Sequence, residues 1–181
     1  MAVSAEVLRE KVKELGEDAA KLLYLLYLYT GGSRSRWIKD YALWVLIYYG
    51  ITKGVFEGYD YAPRVIMWHG AFRTANISEE AGRDLLRLRN MGLVKKLRLA
   101  TSKYRYITAY RVSEKGEALV QGLSEKVKRP VEEVFKPSGR LIEIVLDREF
   151  KPLVKIYGQA PINVGFLDTE EVPYDSDPVF L

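Results

Sequence analysis

The stretch from Ser78 to Gly116 constrains the fold of this chain most. Ser78 is a suitable N-cap residue, and two glutamates follow it in the first turn, where a helix favours negative charge. Gly92 is placed to end the helix. Three apolar residues recur between them at spacings of four and three, which puts them on one helix face: Ala81, Leu85 and Leu88. We therefore predict a helix from Ser78 to about Met91 that buries one side.

A β-hairpin is predicted directly after this helix. Residues from Leu93 to Ala100 alternate basic and apolar side chains, and residues from Tyr104 to Val112 are rich in β-branched and aromatic side chains. The polar connector Thr101-Ser102-Lys103 suits a turn between them. Ser113 can then cap a further helix, which we expect to continue to about Val127.

Positive charge is concentrated in the same stretch. The chain has a net charge of +4, but residues 1–140 hold 25 Lys and Arg against 16 Asp and Glu, a net of +9, whereas residues 141–181 have a net of −5. Between Arg83 and Arg111 there are nine basic residues and one acidic residue. Such a patch attracts a polyanion, because neutralised phosphates release counterions. The alternative is a solvated surface, which would be expected to intersperse acids with the basic residues.

The predicted helix also has a polar edge with chemistry suited to DNA. Arg83, Arg87 and Asn90 lie at spacings of four and three, on a different face from the apolar residues. Arginine can bind guanine O6 and N7 in the major groove, and asparagine can pair with adenine. The alternative is that Arg83 forms only a surface ion pair with Glu79, one helical turn earlier.

Two motifs in this stretch resemble the winged helix-turn-helix superfamily, and most closely the MarR- and PadR-type regulators of archaea and bacteria. The first is the capped helix with its Leu-x-x-Leu packing and the step Met91-Gly92-Leu93-Val94 into a basic strand. The second is Tyr110-Arg111-Val112-Ser113-Glu114-Lys115-Gly116, which is similar to the step from wing to following helix. The resemblance covers about 60 residues. It implies DNA binding, with the Ser78 helix in the major groove and the hairpin as wing.

From these observations we expect eight DNA-binding residues. A wing can lay basic side chains along phosphates or in the minor groove, whereas Tyr104 and Tyr106 are expected to pack across the strands. The expected DNA-binding residues are Arg83, Arg87, Asn90, Lys95, Lys96, Arg98, Lys103 and Arg105. Gly82 departs from the pattern, because a glycine inside a helix costs about 1 kcal/mol relative to alanine.

The fold class predicted for the whole chain is α+β. Residues 1–62 are expected to form an N-terminal helical region, 63–136 a winged-helix core, and 137–181 a C-terminal β-hairpin with an acidic tail. The expected helices include Ser4–Leu15, Glu17–Thr30, Arg36–Tyr49 capped by Ser33 or Ser35, and Pro63–His69; Pro130 is expected near a helix boundary. The C-terminal strands are expected at Leu141–Leu146 and Leu153–Tyr157.

Several classes of function find no motif in the sequence. There is no cysteine, and His69 is the only histidine, so thiol chemistry and histidine pairs are excluded. No serine lies in a nucleophile elbow, and no phosphate-binding loop is present. We therefore expect no enzymatic activity, no cofactor and no metal. The apolar runs Ala19–Tyr29 and Tyr41–Ile51 are too short to span a membrane.

The expected partners are double-stranded DNA and a second copy of the chain. Aromatic residues are abundant before residue 50, and such enrichment also marks interfaces. The lack of cysteine fits a cytoplasmic location, and the small number of Asn and Gln resembles the composition of a thermophile. The function predicted is sequence-specific DNA binding by a transcriptional regulator. The alternative is a winged helix that binds protein or RNA within a larger assembly.

Overall fold

A computed structural model of the chain describes residues 4–68, 71–100, 107–149 and 151–163. In these ranges the helices are α1 (Ala5–Leu15), α2 (Glu17–Thr30), α3 (Asp40–Thr52), α4 (Glu79–Asn90), α5 (Glu114–Val120) and α6 (Glu125–Phe135). The strands are β1 (Ile38–Lys39), β2 (Ala62–Trp68), β3 (Ala71–Ile77), β4 (Val94–Leu99), β5 (Ile107–Val112), β6 (Glu143–Leu146), β7 (Pro152–Lys155) and β8 (Ile162–Asn163). The α+β class predicted from the sequence is confirmed.

The described strands form three small antiparallel sheets. One has the order β1-β5-β4, the second is the hairpin β2-β3, and the third has the order β6-β7-β8. In the first sheet β4 and β5 are consecutive strands of the chain, whereas β1 is distant from β5 in sequence. Strand β1 pairs with β5 so that Ile38 lies opposite Tyr110. This long-range pairing brings the N-terminal half of the chain onto the hairpin predicted from the sequence.

Helix α2 lies at the centre of the hydrophobic core. Its apolar residues cover most of its circumference, and the four leucines from Leu22 to Leu26 are fully buried. Helices α1, α4, α5 and α6 and strand β5 all pack against it. The core also contains Phe135, Ile142 and Val154, none of which has any exposed surface. It therefore draws on residues from all three segments, 1–62, 63–136 and 137–181. Within the described ranges, no helix is both long and apolar enough to cross a bilayer.

The predicted helix caps around α4 and α5 are confirmed. The Ser78 hydroxyl accepts a hydrogen bond from the Ala81 amide at 3.2 Å, and the Ser113 hydroxyl accepts one from the Gly116 amide at 3.0 Å. Gly92 adopts a φ of 75° directly after α4, a conformation that glycine tolerates best. A Cβ on Gly116 would collide with the Leu93 carbonyl oxygen and lie 2.7 Å from Val112. This close approach explains why a glycine follows Lys115 in the motif.

The predicted helix Pro63–His69 is wrong. Residues Ala62–Trp68 are strand β2, which pairs with β3 so that Pro63 lies opposite Asn76. Both strands of a two-stranded sheet are edge strands, where the missing N–H of a proline is tolerated. A proline that suits the first turn of a helix also suits this position, and only the pairing with β3 distinguishes the two. His69 and Gly70 lie outside the described residues.

The predicted start of the third helix is also wrong. We expected Ser33 or Ser35 to cap a helix from Arg36, but α3 begins at Asp40, after the short strand β1. The Ser33 and Ser35 hydroxyls lie 2.9 Å apart and hydrogen-bond each other in the loop. Pairing of β1 with β5 holds Ile38 and Lys39 extended, which delays the helix.

Two helix boundaries after the hairpin differ from the prediction. The helix that begins after Ser113 ends at Val120 rather than near Val127, and α6 begins at Glu125. Pro130 lies inside α6 and not at a boundary. A proline there removes one backbone hydrogen bond, but the helix still buries its apolar stripe of Val127, Val131 and Phe135.

The predicted C-terminal hairpin is confirmed by β6 and β7, which pair antiparallel with Glu143 opposite Lys155 and Leu146 opposite Pro152. Strand β8 adds a third strand that the sequence analysis missed. The Tyr29 hydroxyl of α2 donates a hydrogen bond to the Ile142 carbonyl at 2.6 Å, just before β6. Strand β8 falls within the tail that was predicted to be irregular from Gly158 on, and the acidic residues of that tail, from Asp168 on, lie outside the described residues.

Candidate nucleic-acid interface

Helix α4 buries one side and exposes the other. Ala81, Leu85 and Leu88 are buried, as predicted, and α4 packs on α2. The opposite side carries an exposed stripe, which we define as Arg83, Leu86 and Asn90. These residues follow one another at spacings of three and four, so they form a line along the helix. Leu86 adds to this line an apolar side chain that is 51% exposed.

Arg83 supplies the positive charge of the exposed stripe. Its side chain is 70% exposed, and its nearest carboxylate is Glu80 at 3.9 Å. The alternative ion pair with Glu79 is not the one formed, because Glu79 pairs with Arg64 of β2. A 3.9 Å pair between exposed side chains contributes little to stability, so it leaves the guanidinium free to reach another anion.

Arg87 has a different role from Arg83. Its guanidinium donates a hydrogen bond to the Leu15 carbonyl at the end of α1 and lies 3.3 Å from Asp84. Asp84 in turn accepts a hydrogen bond from the Tyr59 hydroxyl at 2.6 Å. Burial, together with this bond to Asp84, raises the pKa of Tyr59 above its ordinary value. Arg87 thus joins α1 to α4, and the sequence analysis missed this contact.

A basic cluster, which we define as Arg89, Lys96 and Arg98, adjoins the end of α4. Lys96 lies directly opposite Tyr110 in the sheet, with its ammonium 6.0 Å from the centre of the ring. Burial lowers the pKa of Lys96, and the nearby charges of Arg89 and Arg98 lower it further. Asp40 opposes this shift, while burial raises the pKa of Asp40 itself. Neighbouring cations of this kind form a local positive potential, which attracts anions.

The expected site residues of β4 lie on both sides of the sheet. Alternation along β4 puts Lys95 on the opposite side of the sheet from Lys96 and Arg98. Lys95 therefore does not join the basic cluster, and it lies across from Arg111 instead. Lys103 and Arg105, the expected wing residues, lie outside the described residues, as do Tyr104 and Tyr106. Arg89 was not among the expected site residues, although it precedes Asn90 in a basic stretch.

Gly82 lies at the flank of the exposed stripe, where α4 passes α3. A Cβ built on Gly82 would lie 3.5 Å from the Trp44 side chain, an ordinary van der Waals distance. Gly82→Ala is therefore expected to raise the free energy of unfolding by about 0.5–1 kcal/mol, because alanine costs less entropy in a helix. Chemical denaturation measures the change. A loss of stability would mean that α3 and α4 approach more closely than this contact allows.

Most of this chain matches one known protein family. The family described as "Uncharacterized protein MJ1567 family" matches residues 18–159, from the first turn of α2 to beyond β7. No curated protein matches the chain, and no solved structure matches it. The matched range includes α4, the basic cluster and the sheet that carries them. The chain belongs to the uncharacterized protein MJ1567 family.

Proposed function

We propose that this chain binds double-stranded DNA through a winged helix formed by α2, β1, α3, α4, β4 and β5. The order of these elements supports the proposal: a helix is followed by a short strand, then by two more helices, and then by a two-stranded hairpin. The sheet order β1-β5-β4 supports it too, because the first strand closes the sheet beside the last strand of the wing. In this arrangement α4 is the recognition helix.

In this proposal the helix before the recognition helix is α3, and the winged helix begins with α2 rather than at residue 63. The hairpin β2-β3 is then an insertion between α3 and α4, where a helix-turn-helix has a short turn. The tip of the Trp44 side chain on α3 reaches α4 across the insertion, where a Cβ built on Gly82 would lie 3.5 Å from it. The hairpin packs on α3, and Ala75 and Ile77 of β3 are buried.

The proposal rests on one observation, which is that α4 exposes Arg83, Leu86 and Asn90 in a line next to the basic cluster. Arginine and asparagine can read guanine and adenine edges in the major groove, and an apolar side chain can contact the thymine methyl. The basic cluster would contact phosphates, which fix the register of the protein on the duplex. Regulation of transcription in the cytoplasm is the process we propose for such binding.

Selection from a pool of random duplexes tests this function. We expect one sequence motif to be enriched, and we expect the affinity for it to fall at least about tenfold between 50 and 200 mM salt, since several phosphates are contacted. A scrambled duplex of the same composition is the control. Equal binding to both duplexes would contradict sequence specificity, and affinity that is independent of salt would contradict the basic cluster as a phosphate contact.

Homodimer formation remains a prediction. Several aromatic residues that suggested an interface make contacts within the chain: Tyr24 and Tyr49 are buried, and the Tyr48 and Tyr61 rings pack edge to face at 4.8 Å. These contacts reduce the number of aromatic side chains left for a partner. A palindromic motif in the duplex selection would support a two-fold symmetric dimer.

A second candidate function is binding to another protein, as part of a larger assembly. It is favoured by the exposed apolar side chains Phe72 on β3 and Leu86 on α4, which are 58% and 51% exposed. Apolar side chains that are exposed to water gain free energy when a partner protein covers them. Failure to enrich any duplex, together with copurification of a partner that is lost on Leu86→Ser, would favour this candidate over DNA binding.

A further inference from the structure

The side of the β1-β5-β4 sheet that faces away from the basic cluster carries a second basic surface. An open depression of about 390 Å³ lies there, between β4, the loop before β1 and the start of α5. Four basic side chains line this anion depression, together with one carboxylate. The basic residues are Arg34, Lys95, Arg111 and Lys115, and the acid is Glu114.

Arg111 is the central residue of the anion depression. It is only 5% exposed, and its Nε atom is buried without a hydrogen-bond partner. One terminal nitrogen lies 3.5 Å from the Ser33 carbonyl oxygen, and the guanidinium lies 5.5 Å from the centre of the Trp37 ring. Over the described residues, no carboxylate forms an ion pair with it. A buried charge is costly unless an opposite charge balances it, so a guanidinium in this position is a preformed donor for an anion.

The other cations of the anion depression lie around Arg111. Lys95 is directly opposite Arg111 in the β4-β5 pair. The ammonium of Lys115 donates to the Met91 carbonyl at 2.9 Å, which holds it at the rim with further N–H groups available. Glu114 pairs with Arg34, so its charge is already balanced. Three cations therefore remain to neutralise an anion.

We propose that the anion depression binds the phosphate group of a small phosphorylated molecule. Guanidinium and ammonium groups that converge from several elements suit phosphate, which accepts several charge-assisted hydrogen bonds at once. The volume lies in the range of small-molecule sites and exceeds what a phosphate alone would fill. The site lies on the side of the sheet opposite Lys96 and Arg98, so it is separate from the proposed DNA contacts. It would be a site for an effector, and it does not depend on DNA binding.

Thermal unfolding of the full chain in pyrophosphate tests the site, with chloride at matched ionic strength as reference. A ligand that binds only the folded state raises the Tm in a saturable way. We expect Lys95→Gln and Lys115→Gln each to raise the half-saturating pyrophosphate concentration at least about fivefold, and Arg111→Gln to abolish saturation. Lys39→Gln is the matched control, because Lys39 is exposed on the same side of the sheet but does not line the depression.

Unchanged saturation in the Lys95→Gln/Lys115→Gln double variant would overturn the proposal, and this holds even if Arg111→Gln does not fold. A second arm distinguishes a free ligand from the DNA backbone. With a free ligand, the double variant retains wild-type affinity for the duplex selected above. If instead that affinity falls about tenfold and the duplex displaces pyrophosphate, the anion depression is a DNA phosphate contact and the small-molecule assignment is wrong. If the chain binds no duplex, the pyrophosphate arm still decides the site.

Discussion

Arg83→Glu is expected to weaken binding to the selected duplex by about 10-fold to 100-fold, which corresponds to the loss of one good base contact. Arg83 is the first residue of the exposed stripe on α4, and among the described residues the only ion pair it would lose is the 3.9 Å pair with Glu80. A glutamate at this position would also repel the phosphates on both sides of the groove. Fluorescence anisotropy with a labelled duplex, at fixed salt, measures the change.

The matched control for this prediction is Arg129→Glu. Arg129 is also an exposed arginine on a helix, but it lies on α6, outside the proposed winged helix. The two variants change the net charge equally, so a nonspecific electrostatic effect would weaken binding in both. We expect Arg129→Glu to remain within about twofold of wild type. Equal losses in the two variants would contradict α4 as the recognition helix.

Arg87 is unsuitable for the same experiment, although its position in the sequence is as favourable as that of Arg83. Its side chain holds the end of α1 through the Leu15 carbonyl and pairs with Asp84. Removing it would leave a helix-terminal carbonyl without this donor and would shift α1 relative to α4. A loss of DNA binding in an Arg87 variant would therefore combine changes in recognition and in packing.

The parts of the fold that could be predicted from the sequence are those specified by neighbouring residues. The cap at Ser78, the spacing of Leu85 and Leu88, and the turn at Gly92 are all local, and they fixed α4 correctly. Strand β1 has two residues and no periodicity, so only its pairing with β5 defines it. Strand β2 depends in the same way on β3, and Pro63 is compatible with either a helix start or an edge strand.

In the candidate site, too, some features follow from neighbouring residues and others only from long-range contacts. Helical spacing is sufficient to place Arg83 and Asn90 on one exposed line. The basic cluster is not predictable in this way, because Arg89 comes from a helix and Lys96 and Arg98 come from a strand that the fold brings beside it. Arg111 was counted as one more cation in a basic stretch. Its burial beneath Trp37 follows from the pairing of β1 with β5, which no local pattern encodes.

Phe135 joins two segments of the single hydrophobic core, so its removal is expected to lower the stability of the fold strongly. This side chain is fully buried at the end of α6, where its ring packs edge to face with Tyr49 at 6.3 Å. A Cβ built on Gly50 would lie only 2.9 Å from the Phe135 ring, so the ring also fills the space beside α3. Phe135→Ala is expected to lower the free energy of unfolding by about 3–5 kcal/mol, from the lost burial and the cavity left behind.

Chemical denaturation followed by both fluorescence and circular dichroism measures this change. The control is Tyr157→Ala, because Tyr157 is 69% exposed and its ring contacts the exposed Arg140 guanidinium; the expected loss is below about 1 kcal/mol. Phe135 belongs to the segment 63–136, but its partners Tyr49 and Gly50 belong to the segment 1–62. We therefore expect one transition, with both probes coincident and shifted together by Phe135→Ala. Two separate transitions, of which only one is shifted, would mean that the N-terminal helices fold independently and that the proposed winged helix cannot begin at α2.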